Sequence, residues 1–267
     1  MFKRLFSKRN RVLVSELVRT DFKLRYQGSV LGYVWSLLRP LLLFLILYVV
    51  FVKFLKVGNG IPNYPVYLLF GMIMWNFFVE MTSQSLSSIV GRGDLIRKIR
   101  IPRWIIVISS SISAVINLLL NLVVLSVFII FNHVQITGAI TVLPIIFVEL
   151  YIFSLGVSFF LATSFVRYRD INYVWEVLLQ AGFYLTPILY PLSRINNLLF
   201  QKLLILNPMA QIIQDARYVT VTKDTITNYA LYRGEPYFFI PFVIVVVIFI
   251  FSANYFRKRS KFFAEEI

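Results

Sequence analysis

Six stretches of this chain are each long and apolar enough to cross the hydrocarbon of a bilayer, which takes about 20 mainly apolar residues. They run from Leu31 to Val52, Tyr64 to Leu86, Trp104 to Phe131, Thr141 to Phe165, Tyr173 to Tyr190 and Tyr237 to Phe256. A soluble fold of 267 residues has too little interior to bury all of them. Charged residues make up 15% of the chain, where soluble domains carry about 25%. In lipid every backbone polar group needs an internal partner, so the spans must be helices. The expected fold is all-α and polytopic, with six membrane helices. Leu198–Leu206 is apolar but too short to cross, so it is read as an interfacial or re-entrant helix between spans five and six.

Charge sets the expected orientation. The net charge of +15 would suit a polyanion, but the cations sit between apolar blocks rather than along one stripe, which argues against nucleic acid. Of the 27 Lys and Arg, most fall before the first span, between Arg92 and Arg103, at Arg167 and Arg169, and from Arg257 to Lys261. Lys53, Lys56, Arg194, Lys202, Arg217, Lys223 and Arg233 take the other side. The bias places both termini in the cytoplasm and the chain in the cytoplasmic (inner) membrane. The first 30 residues hold no uninterrupted apolar core, so the first span is expected to act as its own insertion signal.

Several chemistries drop out. Without cysteine there is no disulfide, iron–sulfur cluster or thiol catalysis. There is no G-x-x-x-x-G-K-[ST] loop, so no ATP site of that kind. The single histidine, His133, falls in a predicted external turn, and no carboxylate or histidine set has catalytic or metal spacing. The chain reads as a non-enzyme.

Four segments carry a resemblance. Asp21–Leu43 (DFKLRYQGSVLGYVWSLLRPLLL) leads a basic amphipathic helix through a Ser-x-Leu-Gly turn and a Trp into a Pro-containing span. Arg169-Asp170-Ile171 is followed by LLQAGFYLTPILYP, from Leu178 to Pro191, and then by LNPMAQIIQDAR, from Leu206 to Arg217. The basic tail ends FFAEEI. In order and spacing these resemble membrane subunits of the ABC-2 transporter family, those exporting O-antigen, capsule or teichoic acid. The resemblance implies a homodimer of six-helix subunits that moves a lipid-linked polymer. It also implies two separate ATPase subunits, which bind the ATP and Mg. A polymer-wide path fits between two subunits more readily than inside one packed bundle. The alternative is a membrane-embedded biosynthetic or scaffold protein of envelope assembly that works without ATP.

Residues 1–30 form the cytoplasmic amphipathic helix and residues 31–267 the membrane domain. Between Arg11 and Tyr26 the wheel gathers Leu13, Leu17 and Leu24, with Arg19 and Lys23 opposite, as in a helix lying in the interface among membrane lipids. Asp21 and Arg25, four apart, are expected to pair. The segment Gly91–Trp104 is read as a coupling or gate helix, capped by Asp94 and carrying Arg97, Lys98 and Arg100. With the tight turn at Arg169 and Asp170, these residues are the candidates for contact with the ATPase. Aromatic rings stack on sugar faces, so Phe44, Tyr48, Phe51, Trp75, Phe78, Phe183 and Tyr184 are candidates to line the path. Arg39, within span one, is read as snorkelling to headgroups or drawing a phosphate. Glu149 lies inside span four at about the depth of Asn121 on span three, so a hydrogen bond to Asn121 or Asn117 is expected.

Overall fold

The structure is a computed structural model that describes residues 8–26, 32, 34–58, 60–99 and 101–266, with the side chains of residues 24–26 left out of the description. The Ser-x-Leu-Gly turn falls almost wholly outside the described residues. Twelve α-helices are present among them: α1 (Lys8–Tyr26), α2 (Val34–Tyr48), α3 (Tyr64–Ser88), α4 (Gly93–Lys98), α5 (Trp104–Phe131), α6 (Leu143–Arg167), α7 (Ile171–Leu185), α8 (Leu198–Ile205), α9 (Pro208–Thr220), α10 (Asn228–Leu231), α11 (Ile240–Arg259) and α12 (Phe263–Glu266). A π-helical turn, Val49–Phe54, extends α2. Several starts follow from sequence. Pro65, Pro144, Pro208 and Pro241 sit in the first turns of α3, α6, α9 and α11, where proline's missing N–H costs nothing. His133 ends α5 in the left-handed region, at φ 49°. Its N–H reaches Ile130 O, and Val134 N–H reaches Ile129 O, closing a Schellman-type cap.

Among the described residues, five helices are long and apolar enough to cross a membrane: Val34–Phe54, Tyr64–Ser88, Trp104–Phe131, Gly138–Arg167 and Pro236–Arg259. The predicted span Tyr173–Tyr190 is different. Its helix, α7, stops at Leu185, because Thr186 precedes a proline and takes an extended backbone, ψ 135°. At 1.5 Å per residue its 15 residues cover about 22 Å, short of the hydrocarbon thickness. The chain still passes from one end of the bundle to the other, since Tyr64 at the start of α3 donates its hydroxyl hydrogen bond to Leu189 O. Helix and turn share this sixth traverse.

At the centre stands α3, buried along most of its length. It packs mainly against α5 and α6, and more lightly against α2 and α7. Small polar residues allow the close approach: Ser85 and Ser110 Oγ lie 3.1 Å apart, and Ser158 donates to Met81 O at 3.3 Å. Phe78 stacks on Phe153 with centroids 5.4 Å apart. The tightest helix pair is α6 with α11, where a Cβ at Gly156 would sit 3.0 Å from Phe249 Cα. Below it Phe159, Phe256 and the fully buried Phe263 form a ring chain that docks α12.

The first and last described helices, α1 and α12, lie at one end of the bundle. Asp21 of α1 pairs with Arg92 before α4, and α12 rests on α4 and α6. The far end is closed by α8, which matches the short helix expected at Leu198–Leu206, together with α9 and α10. Because Gly156 faces backbone rather than a flexible side chain, Gly156→Ala must push α6 from α11. A destabilisation of about 1–3 kcal/mol is expected, as for other overpacked sites. Thermal unfolding in detergent checks it, with Gly138→Ala, which meets nothing within 4 Å, as the unaffected control.

Candidate functional site

The end that carries the termini gathers the predicted coupling segments into one surface. On α1, Asn10, Leu13, Val14, Leu17, Val18, Asp21 and Phe22 turn inward, with Lys8, Arg9, Arg19 and Lys23 exposed. This helix packs along α5 rather than lying free. Asp21 pairs with Arg92, while the expected pair with Arg25 falls outside the described residues, because that side chain is left out of the description. The link therefore runs between two elements, where a pair within one turn would have tied α1 only to itself. Asp94 also departs from expectation. It lies in the first turn of α4, where a carboxylate suits the helix dipole, but makes no capping bond, and the N-cap is Arg92. Ile96 is buried beneath α4, while Asp94, Arg97 and Lys98 are exposed. Arg100 lies outside the described residues. Arg169 and Asp170 are exposed in the turn joining α6 to α7, with the Arg169 guanidinium 5.3 Å from the Phe165 ring.

The aromatic candidates divide. Phe44 is buried and meets Phe128 edge-on at 5.6 Å, with Tyr48 beside it. Phe51 is half-buried against the core. Trp75 and Phe78 are buried, and Phe183 packs on Trp75 at 6.1 Å. Tyr184 is 67% exposed. Arg39 is exposed on α2, next to Pro40.

At the far end the structure contains a site that charge counting missed. Arg217 of α9, read from sequence as one of the outer-face cations, is completely buried. The helix break after Leu185 strands two carbonyls, and Arg217 receives both: Nη1 donates to Pro187 O at 2.6 Å and Nη2 to Ile188 O at 2.8 Å. Nε donates to Tyr67 O at 3.0 Å, Nη1 also reaches Gln214 Oε1 at 3.3 Å, and the guanidinium lies 3.7 Å from the Tyr67 ring centre. Tyr67 O–H donates to the same Gln214 oxygen at 3.0 Å. Burial pulls the guanidinium below its ordinary pKa, and Tyr67 and Tyr64 oppose that pull. Room for it exists because position 71 is glycine; a Cβ there would collide with Nη2. A signal was present in the sequence, since LTPILYP and LNPMAQIIQDAR each pair a proline break with a polar helix.

The carboxylates inside the spans also differ from expectation. Asn117 donates to Glu80 of α3, and Asn121 donates to Asn117 O at 2.8 Å. Glu149 meets neither; it receives the Gln211 amide of α9 at 3.5 Å. α5 turns Asn117 toward α3 and has little contact with α6. The same Gln211 Nε2 donates to Asp215 at 2.7 Å. Asp215 lies on α9, outside the five spans, and burial pushes its carboxyl up to about 6, against Gln211 and the Asn228 N–H.

This architecture is that of a multi-pass membrane protein with exposed charged residues gathered at one end. The chain belongs to the ABC-2 type transporter family, whose model matches residues 12–221. Members are membrane subunits that lack an ATPase site and work with an ABC ATPase. The chain is 29% identical to the O-antigen export system permease protein RfbA of Myxococcus xanthus, over 96% of each chain. It is also 29% identical to an O-antigen export system permease protein RfbA of Klebsiella pneumoniae, over 95% of this chain and 94% of that one.

Two outcomes follow. Lysine keeps the charge at 217 but not the planar fork that reaches three carbonyls, so Arg217→Lys is expected to lose about 3–5 kcal/mol, as for other broken buried charge networks. Its melting temperature in detergent should fall well below that of an exposed Arg194→Lys control. For Asp215 the sign is set by a folded pKa above the usual 3.8: its stabilisation is full below that value and is lost as pH rises through about 6. Asp215→Asn should flatten the fall in melting temperature between pH 4 and 7, measured against the parent chain.

Proposed function

We propose that this chain is the permease of an exporter for a lipid-linked polysaccharide of the O-antigen type, working as a homodimer with two ATPase subunits. The reading is carried by the near full-length match to two permeases named for O-antigen export, in chains of almost the same length. Capsule and teichoic acid polymers share the chemistry of a glycan on a lipid carrier and belong to the same class. In this reading the end that carries the termini faces the cytoplasm of the inner membrane, in keeping with the cation bias. ATP and Mg bind on the partner.

The packing supports a shared path. Both α2 and α7 lean on α3, and their outer faces are bare: Leu42, Leu43, Leu45 and Ile46 on α2, Val174, Val177, Leu178 and Tyr184 on α7. A second copy set against these helices would enclose a path bordered by spans one and five. Tyr184 then offers an exposed ring to the polymer, and the buried aromatics stiffen the wall behind it. Arg39, exposed near the start of α2, stands where the phosphate of a lipid carrier would enter.

Coupling runs through the surface built from α1, α4 and the α6–α7 turn. A rigid helix transmits displacement better than a loose loop, and α4 joins two spans directly. Asp94, Arg97, Arg169 and Asp170 are the exposed contacts for the ATPase, and the Asp21–Arg92 pair makes α1 and α4 move together. Asp94→Ala with Arg97→Ala, or Ile96→Pro, should leave insertion and expression intact while export per ATP hydrolysed falls severalfold. Polymer export and ATPase rate are measured on the same complexes. Parental export per ATP in both variants would place coupling elsewhere.

A further inference from the structure

One face of α3 is poorly suited to lipid. Asn76, Glu80, Ser83, Gln84 and Ser87 recur at i, i+4, i+7, i+8 and i+11, a single stripe on a helix. Ser83 and Ser87 are exposed, and Asn76, Glu80 and Gln84 are half-exposed. Counting back from Ser88 at 1.5 Å per residue, Glu80 is about 12 Å and Asn76 about 18 Å inside the span. Serine hydroxyls are mild guests in a membrane helix, but an amide and a carboxylate turned toward hydrocarbon at such depth are costly. The neighbours locate the stripe. Trp75 and Thr82, seven residues apart, meet α7 through Phe183 and the Trp175 indole N–H. Glu80 meets Asn117 of α5. At 100° per residue, Asn76, Ser83 and Ser87 fall between these two contacts, on a sector of α3 where Ser83 and Ser87 are exposed and Asn76 is half-exposed.

We propose that this stripe is a hydroxyl-binding wall of the path, and that its occupant is the uncharged, hydroxyl-rich part of the polymer in transit. The chemistry selects that occupant. Amides and serine hydroxyls both donate and accept, as sugar hydroxyls do. The stripe has no Lys or Arg, and its one carboxylate repels phosphate. Glu80 is the positioning anchor: Gln84 donates to its Oε1 at 2.7 Å and Asn117, buried on α5, donates to the same atom, so the acid orients the Gln84 amide along the wall and ties the wall to α5. The proposal rests on the export reading, from which it takes the glycan.

The chain contains no cysteine, so single cysteines report directly. In cells carrying the complete transporter, Asn76→Cys, Ser83→Cys and Ser87→Cys are exposed to a charged, water-soluble thiosulfonate. Val123→Cys, at an exposed apolar site on α5, is the lipid-facing control. Stripe positions should react at least about tenfold faster than the control, and more slowly while polymer is being exported than when its synthesis is blocked. Asn76→Leu with Ser83→Leu should cut export about tenfold, the loss of two ordinary hydrogen bonds, and Val123→Leu should not. Reaction no faster than at Val123 overturns the proposal, as does labelling that polymer leaves unchanged. A disulfide between Ser83→Cys of two copies also overturns it, since the stripe is then a subunit interface. If the parental complex exports no glycan, the export reading fails by itself, and rapid labelling would still mark a watery wall.

Discussion

Everything at the far end of this bundle depends on one buried cation. Thr186-Pro187 breaks α7 before it can complete a crossing, and a broken helix leaves carbonyls that lipid cannot satisfy. Arg217 answers two of them while also holding Tyr67 O on α3. The cation in turn has no carboxylate partner in this cluster; carbonyl oxygens, the Gln214 amide and the Tyr67 ring stand in for water. A planar guanidinium reaches several acceptors with little entropy lost per bond, which an ammonium does not. The result ties α3, the α7 turn and α9 into one rigid unit.

That unit explains the division of labour among the spans. The central α3, with α5, α6 and α11, forms a packed block held by serines, stacked rings and the Gly156 approach. Lying lightly on it, α2 and α7 offer the surfaces from which a second copy would build a path. The Asp21–Arg92 pair extends the block to α1.

Much of this was legible in the residues. Long apolar runs located five of the spans, the amphipathic helix and the short helix at Leu198–Ile205 within a few residues. The turn chemistry at Thr186-Pro187 was equally visible, yet hydropathy ran straight through it, because Ile188 and Leu189 are as apolar as any helix residue. The error over Glu149 has a different cause. Depth along a span can be counted, but which way a side chain turns depends on the neighbour it packs against. Asn117 turns to Glu80 on α3, and Glu149 turns to Gln211 on α9.

The sequence by itself therefore determined the solvent, the secondary structure and the family, because each follows from local composition and order along one chain. Tertiary structure alone decided that Arg217 is interior, that Asp21 pairs with Arg92, that Glu80 holds Asn117, and that a polar stripe on α3 is left uncovered. These are facts of azimuth. Helix rotation is set by the sum of many weak contacts between segments far apart in the chain, and no local pattern encodes that sum.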